Sequence, residues 1–503
     1  MFIRAKRNRS GTVSVQVIDK SSGSYKVVKT IGSSSDKDEV KGLKVAAREY
    51  IMNFEGQQSL SFDVPTDSAF FDSVYRSILD VQMLGPEIVL GKIFDQIGFG
   101  AIPEELFRHL VISRLIYPVS KLKTINYLQK YKGITLHVNE IYRFMDRFHK
   151  DYMEEAKRIS YMHTVSVLGV SFTMVFYDVT TLYFEAADED DYRIAGFNKD
   201  GKHSNPQIVL GLLVAENGYP LDYEAFQGNS FEGHTMLPVI ERFKAKYNLE
   251  NLTVVADAGL MSNKNVTLLG QNGYDFILGG RIKNENAETK KMILGLKLAD
   301  KGFSELKRAD GQRLIVHYSE ARAAKDAKNR EKGMERLRKK LASGKLSKKH
   351  INNKGYNKYL KLDGEVLISI DEAKFEADRA WDGLKGYVTN TKLPAEQVIE
   401  NYRQLWQVER TFRITKTDLK IRPIFHFKKR RIETHLSISF VACKLYKEFE
   451  RQLKEKKIGL SAEKGLEVLK TIFGITIKLP SGDEKLMLLD KTFDQKSILE
   501  HFR

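Results

Sequence analysis

Three acidic residues, Asp178, Asp257 and Glu409, stand in surroundings that favour chemistry. Asp178 follows the β-branched and aromatic run Ser171-Phe-Thr-Met-Val-Phe-Tyr177, and Asp257 follows Leu252-Thr-Val-Val-Ala256. Each run predicts a strand, so each aspartate ends one and projects into the crevice where open α/β sheets place their sites. Glu409 lies within Tyr402-Arg-Gln-Leu-Trp-Gln-Val-Glu-Arg-Thr-Phe-Arg-Ile-Thr-Lys416, which has helical character. Converging, the three would offer only hard oxygen donors, the set that holds two divalent cations for phosphodiester chemistry. Such a set suits Mg²⁺, with Mn²⁺ as a substitute, and it requires no protein nucleophile.

The helical segment adds a second signal. Tyr402, Glu409 and Lys416 are spaced by seven and share one face at about 100° per residue. Leu405, Trp406 and Arg413 lie three or four positions from Glu409, near that face. A carboxylate among a tyrosine and two cations fits a surface where Glu409 takes metal while Tyr402, Arg413 and Lys416 hold DNA phosphates. The competing reading is a salt-bridged surface with Tyr402 and Trp406 as core anchors. Neither Trp406 nor Trp381 needs more than a core role, although either could stack on an unpaired base.

Composition sets the frame for that chemistry. With 503 residues the chain exceeds a single core, and 82 Lys+Arg against 65 Asp+Glu leave a net charge of +17, an electrostatic footprint for polyanions. No apolar run approaches the length of a membrane span and no leader is visible, so cytoplasmic residence is expected. The single cysteine, Cys443, excludes a disulfide framework and reads as a buried thiol on an apolar helix. His203 and His234 lack metal-ligand spacing, and Asn229, Glu232 and His234 read as a hydrogen-bonded turn. The absence of phosphate-loop and dinucleotide fingerprints gives no support for ATP or dinucleotide use.

The elements that must position the site follow from periodicity. Thr12–Ile18 and Tyr25–Ile31 alternate around the turn Asp19–Ser24, and a helix is expected over Asp36–Phe54, then a polar linker from Glu55 to Asp67. Residues 80–165 read as all helical, with Gly98 as a helix stop. Interleaved Arg114, Lys121, Lys123, Lys130, Lys132, Arg143 and Arg147 suit DNA contact there. Three strands follow, two joined by Glu216-Asn-Gly218, then a helix (Leu237–Tyr247), strand Leu252–Ala256, a helix near Asn263–Leu269 and strand Tyr274–Leu278. This order predicts a mixed sheet that begins with hairpins and ends in parallel units. Strand-like pieces Arg313–Tyr318, Glu365–Ile370 and Gly386–Thr389 flank a very basic segment, Arg322–Lys361, which reads as a charged helical hairpin or a phosphate contact.

The spacing Tyr402, Glu409, Lys416 resembles the Tyr-x2-Arg-x3-Glu-x6-Lys signature of bacterial insertion-sequence DDE transposases of the IS-four superfamily. Tyr177-Asp-Val-Thr-Thr-Leu-Tyr-Phe184, Gly228-Asn-Ser-Phe-Glu-Gly-His-Thr235, Ala256-Asp-Ala-Gly-Leu260 and Arg422-Pro-Ile-Phe-His426 look like its IS-sixteen-thirty-four-like branch. The position of the signature arginine holds Leu405, so the resemblance leaves Arg403 or Arg413 to replace it. The resemblance implies an α/β, mixed multidomain chain with a ribonuclease H-like core and a β-containing insertion before the catalytic helix. It implies Asp178, Asp257 and Glu409 as the catalytic, metal-binding triad, and Tyr402, Arg403, Arg413 and Lys416 as DNA contacts. It further implies cleavage at the element's ends and 3′-hydroxyl attack on target DNA by a homodimer that pairs double-stranded terminal repeats, at the nucleoid. The domains expected are 1–65 (accessory β-hairpin), 66–165 (helical, DNA-binding), 166–285 with 393–450 (core), 286–392 (basic insertion) and 451–503 (oligomerisation). The rival readings are a ribonuclease H-like nuclease without strand transfer, and an inert transposase-derived DNA-binding protein.

Overall fold

The alternating N-terminal residues form antiparallel strands, β1 (Phe2–Arg7), β2 (Val13–Asp19) and β3 (Lys26–Ser34), paired in that order. Val15 and Val17 of β2 turn one face inward, and helix α1 (Lys37–Phe54) sets Ala47 against them. Helix α2 (Asp67–Ser77) follows. Residues 1–78 form one unit and residues 79–503 a second. The computed structural model describes all residues except 55–66, 170–173, 187, 198–203, 261–262, 309, 345, 353–354, 364–366, 490–491 and 503. The expected linker from Glu55, the first residues of the Ser171 and Glu365 strands, and His203 therefore lie outside the described residues.

Strand β4 (Ile78–Met83) falls at the boundary and runs into the second unit, where the sequence predicts only helices from residue 80. Helices α3 (Lys92–Ile97), α4 (Glu105–Ile116), α5 (Lys121–Lys132), α6 (Val138–Asp151) and α7 (Met153–Leu168) come next. Gly98 caps α3 at a φ of 103°, a left-handed conformation that glycine adopts without strain. Two of the cations expected to face DNA here do not. Arg114 and Lys121 are buried, because their segments turn inward at the junction of α4 and α5. Arg147 pairs with Glu104 at 2.9 Å, and Lys132 lies 3.6 Å from Glu87.

The central sheet starts at β5 (Met174–Tyr183) and includes the short β6 (Ile194–Ala195), β7 (Pro206–Val214) and β8 (Pro220–Gln227). Asn217 and Gly218 join β7 to β8 at φ values of 65° and 80°, the conformation that an Asn-Gly hairpin turn requires. Helix α8 (Met236–Tyr247), β9 (Thr253–Ala256), α9 (Asn263–Gln271) and β10 (Asp275–Gly280) follow. β5, β7 and β8 form an antiparallel meander, whereas β9 runs parallel to β5 and β10 parallel to β9. The resulting order β8-β7-β5-β9-β10 is that of a ribonuclease H-like core.

The segment after β10 extends this sheet. It contains α10 (Ala287–Gly295), β11 (Phe303–Lys307), β12 (Arg313–Tyr318), α11 (Glu320–Ala342), a hairpin of β13 (Leu360–Asp363) and β14 (Leu367–Ile370), α12 (Glu372–Arg379) and β15 (Leu384–Thr389). β15 pairs with β10, and β12 and β11 continue outward from it. The basic stretch read as a possible helical hairpin holds one helix of 23 residues, α11, followed by short turns at Lys348–His350 and Gly355–Tyr359 and the start of β13. Next come α13 (Ala395–Arg403), α14 (Trp406–Arg413), a π-helical turn (Ile414–Asp418), α15 (Lys429–Glu455), α16 (Ala462–Leu469), β16 (Phe473–Lys478), β17 (Glu484–Leu489) and α17 (Phe493–Phe502). β16 pairs with both β17 and β4, a link across most of the chain that no local pattern announces.

Alternation assigns the two faces of the sheet. Val175, Tyr177, Val254, Ala256, Phe276 and Leu278 pack with α8 and α9. Phe176, Val255, Ile277 and Tyr387 point the other way, into a core built with α13, α14 and α15. Full burial of each such side chain contributes about 1.5–3 kcal/mol, which fixes strand register, since a one-residue slip would expose every one of them.

Candidate active site

The same alternation delivers the aspartates. Two residues beyond Phe176 and Val255, Asp178 and Asp257 fall on the face covered by α13 and α14. β5 and β9 are in parallel register with Tyr177 opposite Ala256, so the two aspartates follow side by side. Asp257 leaves its strand at the end, as expected. Asp178 does not: β5 runs on to Tyr183, because β7 keeps pairing with it after β9 has stopped. Asp178 is half-buried and its Oδ1 accepts the Val179 N–H at 2.8 Å. Asp257 is exposed and its Oδ1 accepts the Ala258 N–H at 2.7 Å.

The helix carrying Glu409 is broken, and this corrects the uniform stripe read from the sequence. α13 stops at Arg403 and α14 starts at Trp406. The Leu405 N–H bonds back to Tyr402 at 3.0 Å and the Gln407 N–H to Gln404 at 2.8 Å, a tightened turn that rotates the second segment. Tyr402 is consequently buried, Glu409 exposed and Lys416 half-buried in the π-helical turn. Leu405 is 6% exposed within the core, so its side chain packs inward. Arg403 and Arg413 are exposed, and Arg403 lies 3.3 Å from Glu400. Trp406 is 48% exposed, with Arg410 5.9 Å over its ring, so it is not a core anchor.

Tyr402 ties the helix to the sheet. Its hydroxyl donates to Asp257 Oδ1 at 3.1 Å, and its ring meets Tyr387 edge-on at 4.9 Å. Gly279 of β10 makes room for it: a Cβ there would lie 2.5 Å from the hydroxyl oxygen. Burial, with the charge of Asp257 and the hydrogen bond to it, pushes the Tyr402 hydroxyl up, so it stays a donor. Lys385 of β15 sits 4.3 Å over the Tyr402 ring. Burial, then the repulsion of Arg322, holds its ammonium below the usual lysine range, against the opposing pull of Asp257 and Glu409. Helix α14, which carries Glu409, packs on β5, the strand that runs beside β9.

The carboxylate donors suit a hard divalent cation in kind. Among the described residues, however, no three His, Cys, Asp or Glu side chains lie close enough to hold an ion as they stand. Asp178 and Asp257 follow equivalent positions of adjacent strands, and α14 packs on β5. Sequence reasoning missed Gly279, Arg281 and Lys385, which line a cleft with Asp257; Arg322, also in that lining, opens the basic segment read as a possible phosphate contact. The one local signal was Gly279-Gly280-Arg281 directly after a predicted strand.

A family described as "Transposase DDE domain" matches residues 173–443, more than half of the chain. The chain belongs to this family of transposase DDE domains. The match opens at the start of β5 and closes inside α15, so it takes in all three acids and the whole inserted segment. The protein is also similar to the piggyBac transposase in a synaptic complex with hairpin DNA, at 9% identity over 80% of this chain and 79% of that one, with a TM-score of 0.37. A second similarity is to the Mos1 transposase paired-end complex with left transposon end, at 10% identity over 46% of this chain and 66% of that one, with a TM-score of 0.16. No curated protein matches the sequence. Among the described residues no helix is long and apolar enough to cross a membrane.

Proposed function

We propose that this DDE-domain protein cuts double-stranded DNA at the ends of its own element and joins them to target DNA by 3′-hydroxyl attack. The observation that carries the reading is the pairing of Asp178 with Asp257 on one face of adjacent strands, covered by the helix that bears Glu409. In this reading the three acids hold Mg²⁺ or Mn²⁺, which supplies Lewis-acid activation for phosphodiester chemistry. Tyr402 orients Asp257 through its hydroxyl and thereby keeps one carboxylate aimed as the sheet presents it. Arg403 and Arg413, exposed on either side of Glu409, take phosphates in place of the buried Leu405, and Lys416 supports them from the π-helical turn. The net charge of +17 favours DNA over neutral substrates. Two copies of the chain would pair the two ends.

The test uses the purified protein, Mg²⁺ or Mn²⁺, and a plasmid carrying the DNA that flanks the coding sequence. Asp178→Asn, Asp257→Asn and Glu409→Gln each reduce cleavage by at least about 100-fold while DNA binding stays within about twofold. Cleavage at the wild-type rate by any of them overturns the assignment. Pre-cut ends offered with target plasmid separate joining from hydrolysis. A wild-type protein that binds ends yet never nicks them is a DNA-binding relative instead.

A further inference from the structure

Next to Asp257 the protein builds a cationic cleft of about 450 Å³ that the catalytic acids alone do not explain. Its walls come from three places in the chain. Arg281 follows the last residue of β10, and Lys385 is the second residue of β15. These strands are antiparallel with Gly280 opposite Gly386, so Arg281 and Lys385 flank the same end of the ladder. Arg322 enters from the first turn of α11, which starts just after β12 on the far side of β15. Asp257 borders the cleft, one strand away, beside Gly279.

The cations there are not absorbed by internal pairing. Arg281 donates from Nε to Ala258 O at 2.8 Å and from Nη2 to Gly259 O at 3.2 Å, which clamps its guanidinium on the loop after Asp257. Among the described residues neither Arg281 nor Lys385 has an acidic group within ion-pair distance. Arg322 faces Asp326 at 3.4 Å, a partly exposed pair of little strength. Lys283, the fourth cation of the cleft, is already held by Asp378 at 2.7 Å. Lys385 is half-buried over Tyr402 and senses Arg322, so the cleft concentrates positive charge that only an anion relieves.

We propose that Arg281, Arg322 and Lys385 form a cradle for the phosphates of the DNA strand that passes Asp257, so that the segment inserted between β10 and α13 supplies part of the substrate site. This rests on the transposase reading for the strand's identity, and on the geometry alone for the phosphate chemistry. Arginine and lysine at the mouth of a carboxylate site hold a polyanion where its own charge would otherwise repel it from Asp257 and Glu409.

The experiment measures binding of a random-sequence duplex and of its single strand across a salt series, together with plasmid cleavage. Lys385→Gln and Arg322→Gln are each expected to lower the slope of log affinity against log salt by about 0.7–0.9, one phosphate contact, and to slow cleavage at least about tenfold. Lys385→Arg retains both, and Lys325→Gln, exposed on the same helix α11, changes neither. Unchanged slopes in both Gln variants overturn the cradle. If Lys385→Gln fails to fold, Arg322→Gln decides alone, since Arg322 is exposed. A wild-type protein that never cleaves, combined with lowered slopes in the variants, would sink the transposase reading and leave the cradle standing.

Discussion

Replacing Gly279 by alanine places a methyl group 2.5 Å from the Tyr402 hydroxyl oxygen, 2.9 Å from the Ala258 nitrogen and 3.0 Å from the Ala258 Cβ. Ordinary contact begins near 3.4 Å, so the hydroxyl must retreat by roughly 0.9 Å. The ring has little freedom to do so between Tyr387 at 4.9 Å and Lys385 at 4.3 Å. Overpacking of this kind costs about 1–3 kcal/mol. The retreat also breaks the 3.1 Å bond to Asp257. A hydrogen bond to a charged group is worth about 1.5–3 kcal/mol, which expressed in rate is about 10–150-fold. Gly279→Ala is therefore expected to lose both stability in urea denaturation and cleavage rate, with DNA affinity unchanged. Tyr402→Phe keeps the ring, removes the oxygen and should lose rate with little loss of stability. The double variant decides the matter, because without the oxygen part of the clash disappears. Its stability loss should fall short of the sum of the single losses by about 1–2 kcal/mol. If alanine at 279 costs the same whether residue 402 is tyrosine or phenylalanine, the hydroxyl is not lodged against β10 and Tyr402 does not position Asp257.

Leu405→Arg should destabilise the fold by at least about 3 kcal/mol in urea, because a guanidinium would be buried without a partner; unaltered stability with tighter DNA binding would refute the inward orientation. Asp146 of α6 accepts from Arg431 at 2.9 Å and Arg430 at 2.7 Å at the start of α15, and the Arg431 bond is the largest cause of its depressed carboxyl pKa. A depressed folded-state pKa means that the stabilisation is present above the unfolded value of about 3.9 and fades as pH falls below it. Asp146→Asn should accordingly cost about 1 kcal/mol at neutral pH, with the gap to wild type narrowing below about pH 4 in denaturation at both pH values. Burial pushes the Cys443 thiol up to about 11, so alkylating reagents should modify it only once denaturant unfolds α15, and rapid modification of the native protein would contradict its place in the core.

Much of the framework around the candidate site could be read along the chain because its cues are local. Val175-Phe-Tyr177 and Val254-Val-Ala256 alternate between two cores, and that alternation by itself directs Asp178 and Asp257 to a common face once the strands pair in parallel. Asn217-Gly218 and Gly98 mark a turn and a helix end through backbone conformations available mainly to such residues. The excess of cations and the buried cysteine likewise follow from residue type and neighbours.

Tertiary contacts settled what local patterns leave open. Helical periodicity put Tyr402, Glu409 and Lys416 on one stripe, but the helix breaks between Arg403 and Trp406, and Tyr402 turns inward to Asp257. The β5 strand outruns Asp178 because β7, not β9, continues to pair with it. Arg114 and Lys121 look like DNA contacts in a row of cations and are instead enclosed by neighbouring helices. Arg281 and Lys385 are more than a hundred positions apart, with Arg322 between them, and the three meet only because β15 returns to β10. The sequence by itself determined which residues prefer strand, turn and interior, since those preferences act over a few neighbours. Which of them face one another was decided by pairing between distant strands, where the free energy lies in contacts that no short window of sequence contains.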